Sequence, residues 1–182
     1  MRVASRTCFA PATVSNLGPG FDLLGLAIEG IGDTVTATLT TTPGVTVERI
    51  FGDKGRLSLL PAENTAAIAA TSTLRLAHRT EGIALTIHKG MPLGSGLGSS
   101  AASAAAAALA VNLLLGSPLK RSELVAAVLD AEEAVSGRHA DNAAPALLGS
   151  VPRIGSLYNT LVVDEPFVRA NVRSVESVLD DL

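Results

Sequence analysis

Ile83-Ala84-Leu85-Thr86-Ile87-His88-Lys89-Gly90-Met91-Pro92-Leu93-Gly94-Ser95-Gly96-Leu97-Gly98-Ser99-Ser100-Ala101-Ala102-Ser103 reads, in order, as a strand, a glycine-rich turn and the start of a helix. Ile83, Leu85 and Ile87 alternate with Ala84, Thr86 and His88, the pattern of a strand with one buried face. Glycines at 94, 96 and 98 break that pattern. Eight alanines then follow between Ala101 and Ala110. Alanine is the best helix former and has no bulk, so this helix is expected to sit tightly against a neighbour. Gly116-Ser117-Pro118 ends it.

That order suits an anion. The first backbone N–H groups of a helix have no intrahelical partner, and the helix dipole places partial positive charge on them. Glycine lets the backbone approach a phosphate with no Cβ in the way. Ser99 and Ser100 add hydroxyls for a phosphate oxygen or a hydrated Mg²⁺. The loop is not a Walker A, because no Lys-Ser/Thr pair follows the glycines. Nor is it the dinucleotide fingerprint, because position 99 is serine. The plain structural alternative is a flexible turn before a tightly packed helix.

Upstream, Asp33 to Thr42 alternates, with Val35, Ala37 and Leu39 on one side and threonines on the other. Pro43-Gly44 marks a turn, and Val45 to Ile50 reads as the return strand of a hairpin. Asn64-Thr65 caps a helix running through Ala66, Ile68, Leu74 and Leu76, and Gly82 ends that unit. Downstream, a helix starts near Ser122 with Leu124, Val125, Val128 and Leu129 on one face, and Gly137 closes it. Beyond Gly149, Leu157 to Val163 is a candidate strand and Val168 to Leu182 an amphipathic helix. The fold class this predicts is α+β, a mixed β-sheet backed by helices, with residues 1–149 as one domain and 150–182 as a short tail.

The 182 residues are 47% hydrophobic and 17% charged, the make-up of a globular chain. A net charge of -3 argues against nucleic acid as the main partner, which needs a basic face. Cys8 is the only cysteine, so no internal disulfide forms; it reads as a small core hydrophobe in a reducing compartment. Met1 to Ser5 lead into no apolar segment, and Ala101 to Leu115 is too short to span a bilayer. The expected location is cytoplasmic, with no membrane association.

Pro92 to Ser103 resembles the ATP-binding motif of the GHMP kinases (galactokinase, homoserine kinase, mevalonate kinase and phosphomevalonate kinase). The resemblance implies a GHMP kinase N-terminal domain-like fold with ATP and Mg²⁺ as cofactors. It also implies that Pro92, Leu93, Gly94, Ser95, Gly96, Leu97, Gly98, Ser99, Ser100, Ala101, Ala102 and Ser103 wrap the ATP phosphates, and that Ser100 is a metal ligand. It places Asn64, Thr65 and Lys89 near the nucleotide base, although Lys89 fits a solvated strand-end charge equally well.

Two further segments are similar to the homoserine kinase branch of that family. The first, Ala10-Pro11-Ala12-Thr13-Val14-Ser15-Asn16-Leu17-Gly18-Pro19-Gly20-Phe21-Asp22-Leu23-Leu24-Gly25, is a Gly/Pro-rich loop. Asn16 and Asp22 either cap turns or face a polar substrate, Asp22 holding an ammonium group and Asn16 a hydroxyl or carboxylate. The second runs from Glu132 to Gly149. The resemblance maps a magnesium-coordinating, catalytic glutamate to Glu132. Periodicity alone leaves Glu132 and Glu133 equivalent, since the first continues the row of Leu124 and Val128 and the second that of Val125 and Leu129. It implies that His139 and Asp141 line the amino-acid site and that Asn142 lies near the reacting hydroxyl. A structural, hydrogen-bonded histidine is the alternative for His139.

The resemblance thus implies phosphorylation of L-homoserine in threonine biosynthesis. It also implies a second domain on the order of 100 residues, with another glycine-rich motif and carboxylate-binding arginines. Residues 150–182 hold no such motif, so the expectation is a chain without that C-terminal domain. Its uncovered sheet would stay exposed or pair with a second copy as a homodimer. A non-catalytic nucleotide-binding or dimerising remnant, and another GHMP kinase such as one for mevalonate, are the competing readings. Asn16, Asp22 and His139 argue against the mevalonate enzyme.

Overall fold

The computed structural model describes residues 4–15, 24–135, 137–138, 140–148 and 162–163. Its strands are β1 (Ser5–Val14), β2 (Leu24–Thr40), β3 (Gly44–Phe51), β4 (Gly82–His88) and the two-residue β5 (Val162–Val163). Its helices are α1 (Thr65–Leu76), α2 (Ser99–Leu114), α3 (Arg121–Glu133) and α4 (Ala140–Leu148), with a single 3-10 turn, Pro61–Glu63, before α1. The sheet order is β1-β2-β4-β3, and β5 pairs with β2. β1–β2 and β2–β4 are antiparallel and β3–β4 parallel, so the sheet is mixed, as expected.

The expected hairpin between β2 and β3 does not form. β4 lies between them, with Gly82 opposite Thr40 on one side and Gly44 on the other. Residues 41–43 therefore arch over the start of β4 instead of folding back in a two-strand turn. A Cβ on Gly82 would overlap the Thr42 carbonyl oxygen, so glycine is what lets the arch pass. β3, α1 and β4 form a strand–helix–strand crossover, the usual way to join parallel neighbours.

Two further elements differ from the sequence reading. The Gly/Pro-rich segment is not loop throughout: Ala10–Val14 completes β1 and Leu24–Gly25 opens β2. Pro11 is tolerated because β1 is an edge strand with a register shift between Pro11 and Ala12. The segment after Arg138 forms α4, with Pro145 inside it, a helix that alternation and capping signals did not announce. The strand expected over Leu157 to Val163 is described only at Val162–Val163, which pair with Gly25 and Leu24. The tail helix expected over Val168 to Leu182 lies outside the described residues.

The side-chain alternation places the core. Val35, Ala37, Ile83, Leu85 and Ile87 are buried, while Thr34, Thr36, Thr38 and Thr86 are half-buried on the opposite phase. α2 is the central helix. Ala101, Ala102 and Ala104 to Ala108 are fully buried, because β1, β2, α1, α3 and α4 all pack around it. Only alanine-sized side chains let so many elements approach one helix; added methylenes there would overpack the core at about 1–3 kcal/mol. Asn64 caps α1 as expected, Oδ1 accepting from the N–H groups of Ala66 at 3.1 Å and Ala67 at 3.4 Å. Cys8 is half-buried and packs against the core margin. No helix among the described residues is long and apolar enough to cross a membrane.

Candidate nucleotide site

Gly94, Gly96 and Gly98 have φ of 74°, 73° and 63°, in the left-handed region that favours glycine. Gly98 is the N-cap of α2, and no side chain caps that helix. The first helical bond runs from Ala102 N–H to Gly98 O at 2.9 Å, so the amides of Ser99, Ser100 and Ala101 begin the helix ahead of it. They lie at the positive end of the helix dipole. A cavity of about 430 Å³ opens beside them, lined on this side by Leu93 to Ser100 and Ser103. Ala101 and Ala102 are buried in the core.

Thr13 fixes the loop from behind. Its N–H donates to Leu97 O at 3.0 Å, and its hydroxyl donates to Asn142 Oδ1 at 2.7 Å. That bond orients the carboxamide of Asn142 and leaves its Nδ2 as a donor. Gly98 sits against both: a Cβ there would overlap Thr13 Oγ1 and lie 2.9 Å from Asn142 Oδ1.

The floor of the cavity is ionic. Lys89 is not a solvated strand-end charge, since its side chain is only 3% exposed. It ion-pairs with Asp33 and donates to Ser99 O at 2.9 Å and Ser103 Oγ at 2.6 Å. Asp33 accepts from Gly90 N–H at 2.9 Å, Ser103 Oγ at 2.7 Å and Ser99 Oγ at 3.2 Å. Burial pushes the Lys89 ammonium below its usual range, opposed by the negative charges of Asp33, Asp53 and Glu132.

The opposite wall carries Arg56, Leu57, Glu63, Asn64 and Thr65. Asp53 shapes this loop by accepting the Leu57 N–H at 3.1 Å, a bond that holds its carboxyl below the ordinary carboxylate range. Asn64 lines the cavity with its carboxamide already engaged, Oδ1 in the α1 cap and Nδ2 donating to Ser58 O at 3.0 Å.

The structure separates the two glutamates that periodicity left equivalent. Glu132 is 4% exposed, on the same face of α3 as the buried Leu124 and Val128. The Glu133 side chain is 63% exposed and pairs with Arg138 at 3.1 Å. Asp141 is buried in the first turn of α4, where a negative charge meets the positive helix end. Its carbonyl lies where a Cβ on Gly25 would have to go, so the close approach of β2 and α4 at this point requires glycine. Asn16, Asp22 and His139 lie outside the described residues. Asp33, Thr13 and Arg56 were not singled out in the sequence. Asp33 left a signal: it sits in the Val35–Ala37 phase, a carboxylate on the apolar side of a strand.

Residues 64–150 match the model of the GHMP kinases N terminal domain. These residues carry the GHMP kinase N-terminal domain. It is 54% identical over 147 residues to a homoserine kinase of Arabidopsis thaliana, covering 78% of this chain and 39% of that protein. It is 45% identical over 155 residues to a homoserine kinase of Chloroherpeton thalassium, covering 79% and 49%. The crystal structure of homoserine kinase from Cytophaga hutchinsonii superposes with a TM-score of 0.77 at 42% identity, over 80% of this chain and 47% of that one. The chain thus spans less than half of each of these relatives. The matched residues include β4, the glycine-rich loop and the buried alanine helix α2.

Proposed function

We propose that the chain is the nucleotide-binding part of a cytoplasmic homoserine kinase of threonine biosynthesis, with residues 1–149 as the binding unit. The reaction moves the γ-phosphoryl group of ATP to L-homoserine. The substrate hydroxyl oxygen bonds to phosphorus, the bond to the β–γ bridging oxygen breaks, the hydroxyl proton departs, and ADP and O-phospho-L-homoserine result. The observation that carries this reading is the cavity over the glycine-rich loop at the start of α2, in a chain 54% identical to a homoserine kinase over 147 residues.

The phosphates rest on the backbone of Gly94 to Ser100, and Asn142 lies near the reacting hydroxyl. Asn16, Asp22, His139 and Asp141 hold the amino acid, with Asp22 opposite its ammonium group. Among the described residues no three His, Cys, Asp or Glu side chains gather as a metal site. One buried carboxylate, Glu132, and one hydroxyl, Ser100, fit Mg²⁺, which takes few protein ligands and keeps water and phosphate oxygens. Magnesium there neutralises phosphate charge. The loose transition state of phosphoryl transfer makes positioning and charge neutralisation the main demands on the protein.

Replacing Glu132 by Gln is expected to weaken the magnesium dependence of nucleotide binding sharply, whereas Glu133→Gln leaves it near wild type. A magnesium titration in which Glu133→Gln is the damaged variant overturns the choice of carboxylate.

Among the described residues, few cations are at hand for the transferring phosphate. Arg56 and Lys89 line the cavity, and Lys89 spends its ammonium on Asp33, Ser99 and Ser103. One missing transition-state contact commonly costs a factor of about 10²–10³. The 182-residue polypeptide by itself is therefore expected to bind nucleotide weakly and to release ADP far below an ordinary rate of roughly 1–10³ per second. What release there is should rise with L-homoserine and not with mevalonate. A coupled ADP-release assay tests both statements. Stimulation by mevalonate alone contradicts the assignment of substrate, and turnover at an ordinary rate contradicts the role given to the cations of the cavity.

A further inference from the structure

We propose that Asp33 and Lys89 act together as a positioning clamp that closes the phosphate loop at both ends, and that neither spends a hydrogen bond on the nucleotide. The antiparallel register pairs Thr34 with His88, so the next residues outward, Asp33 and Lys89, stand opposite each other where β2 and β4 reach the loop. Asp33 takes the Gly90 N–H at the loop's entry and the Ser99 hydroxyl at its exit. Lys89 takes the Ser99 carbonyl and the Ser103 hydroxyl, one turn apart on α2. A lysine ammonium has three donors, and Asp33, Ser99 and Ser103 account for all three. The pair also cancels its own charge. Among the described residues, attraction for a phosphate is then left to the backbone amides at the start of α2 and to Arg56, and the clamp supplies their geometry. A satisfied buried network of this kind rigidifies what it joins.

This inference rests on the nucleotide reading above, and the test separates the two. Amide hydrogen exchange is measured on the free full chain, alongside calorimetric binding of ADP and of adenosine. The proteins compared are wild type, Ser103→Ala, Lys89→Met and the double variant Asp33→Asn/Lys89→Met. Ser103→Ala removes one member of the network without stranding a buried charge, so it reports even where a charge variant fails to fold. The clamp predicts faster exchange over residues 94–100 in each folded variant. It also predicts ADP affinity roughly tenfold lower, as for a lost buried hydrogen bond, with adenosine affinity within about twofold. Wild-type exchange in the loop of the folded variants overturns the clamp. So does a Lys89→Met protein that loses ADP affinity with its loop exchange unchanged, since Lys89 would then be a direct ligand. A wild type that binds neither ADP nor adenosine contradicts the proposed function, and loop exchange still decides the clamp.

Discussion

Replacing Gly98 by alanine is expected to lower both the stability of the fold and its affinity for nucleotide. Two costs coincide there. The backbone sits at φ 63°, where a Cβ costs about 1–2 kcal/mol. The new methyl would also overlap Thr13 Oγ1 and press on Asn142 Oδ1 at 2.9 Å, and overpacking of this kind costs about 1–3 kcal/mol. Thr13 cannot step aside freely, because its N–H and hydroxyl are tied to Leu97 and Asn142. A loss of about 3 kcal/mol lowers the melting temperature by roughly 10 °C in a domain of this size. It also tilts the loop away from the amides that begin α2, so nucleotide affinity should fall more than tenfold. Gly116→Ala is the control. Its φ is 86° and no atom lies within 4 Å of the new methyl, so it carries the conformational cost alone and leaves nucleotide affinity unchanged. Adding Thr13→Ala to Gly98→Ala removes the overlapping hydroxyl and should recover part of the lost melting temperature. Thermal melts of the four proteins check this. A Gly98→Ala protein no less stable than Gly116→Ala would show that the Thr13–Gly98–Asn142 contact is not tight.

Much of this arrangement was legible in local sequence, and what was missed follows a physical pattern. The strand at Ile83 to His88, the Asn64 cap, the alanine helix and the glycine turn all depend on periodicity, capping and backbone freedom within a few residues. The β2–β3 connection was misread because a turn signal reports a reversal of direction, not whether a third strand enters between the two arms. That depends on Gly82, whose missing side chain matters only once Thr42 crosses over it. α4 was missed because Pro145 and the polar residues Asp141 and Asn142 mask its apolar face. Lys89 was open to misreading for the opposite reason. Its phase, two residues beyond Ile87, places it on the buried side, but a lone lysine there is unfavourable until its partner is known. Asp33 carries the same signature two residues before Val35. The two charges are 56 positions apart, and only the strand register brings them together. The choice between Glu132 and Glu133 likewise needed the packing of α3, since both rows are equally apolar up to that point.

A calorimetric titration of Mg·ATP into wild type and Gly96→Val tests most directly whether phosphate sits over Gly96. In the free protein no atom lies within 4 Å of where a Cβ on Gly96 would stand, and Gly96 lines the open cavity. A branched side chain there projects into space that the protein itself leaves empty. The backbone at φ 73° adds strain, about 1–2 kcal/mol, so both proteins are first matched for folding by circular dichroism. With folding matched, nucleotide affinity is expected to fall by at least about two orders of magnitude, a loss of roughly 3 kcal/mol. An affinity for Mg·ATP unchanged from wild type in a well-folded Gly96→Val protein would contradict the placement of the phosphates, and with it the site described for this chain.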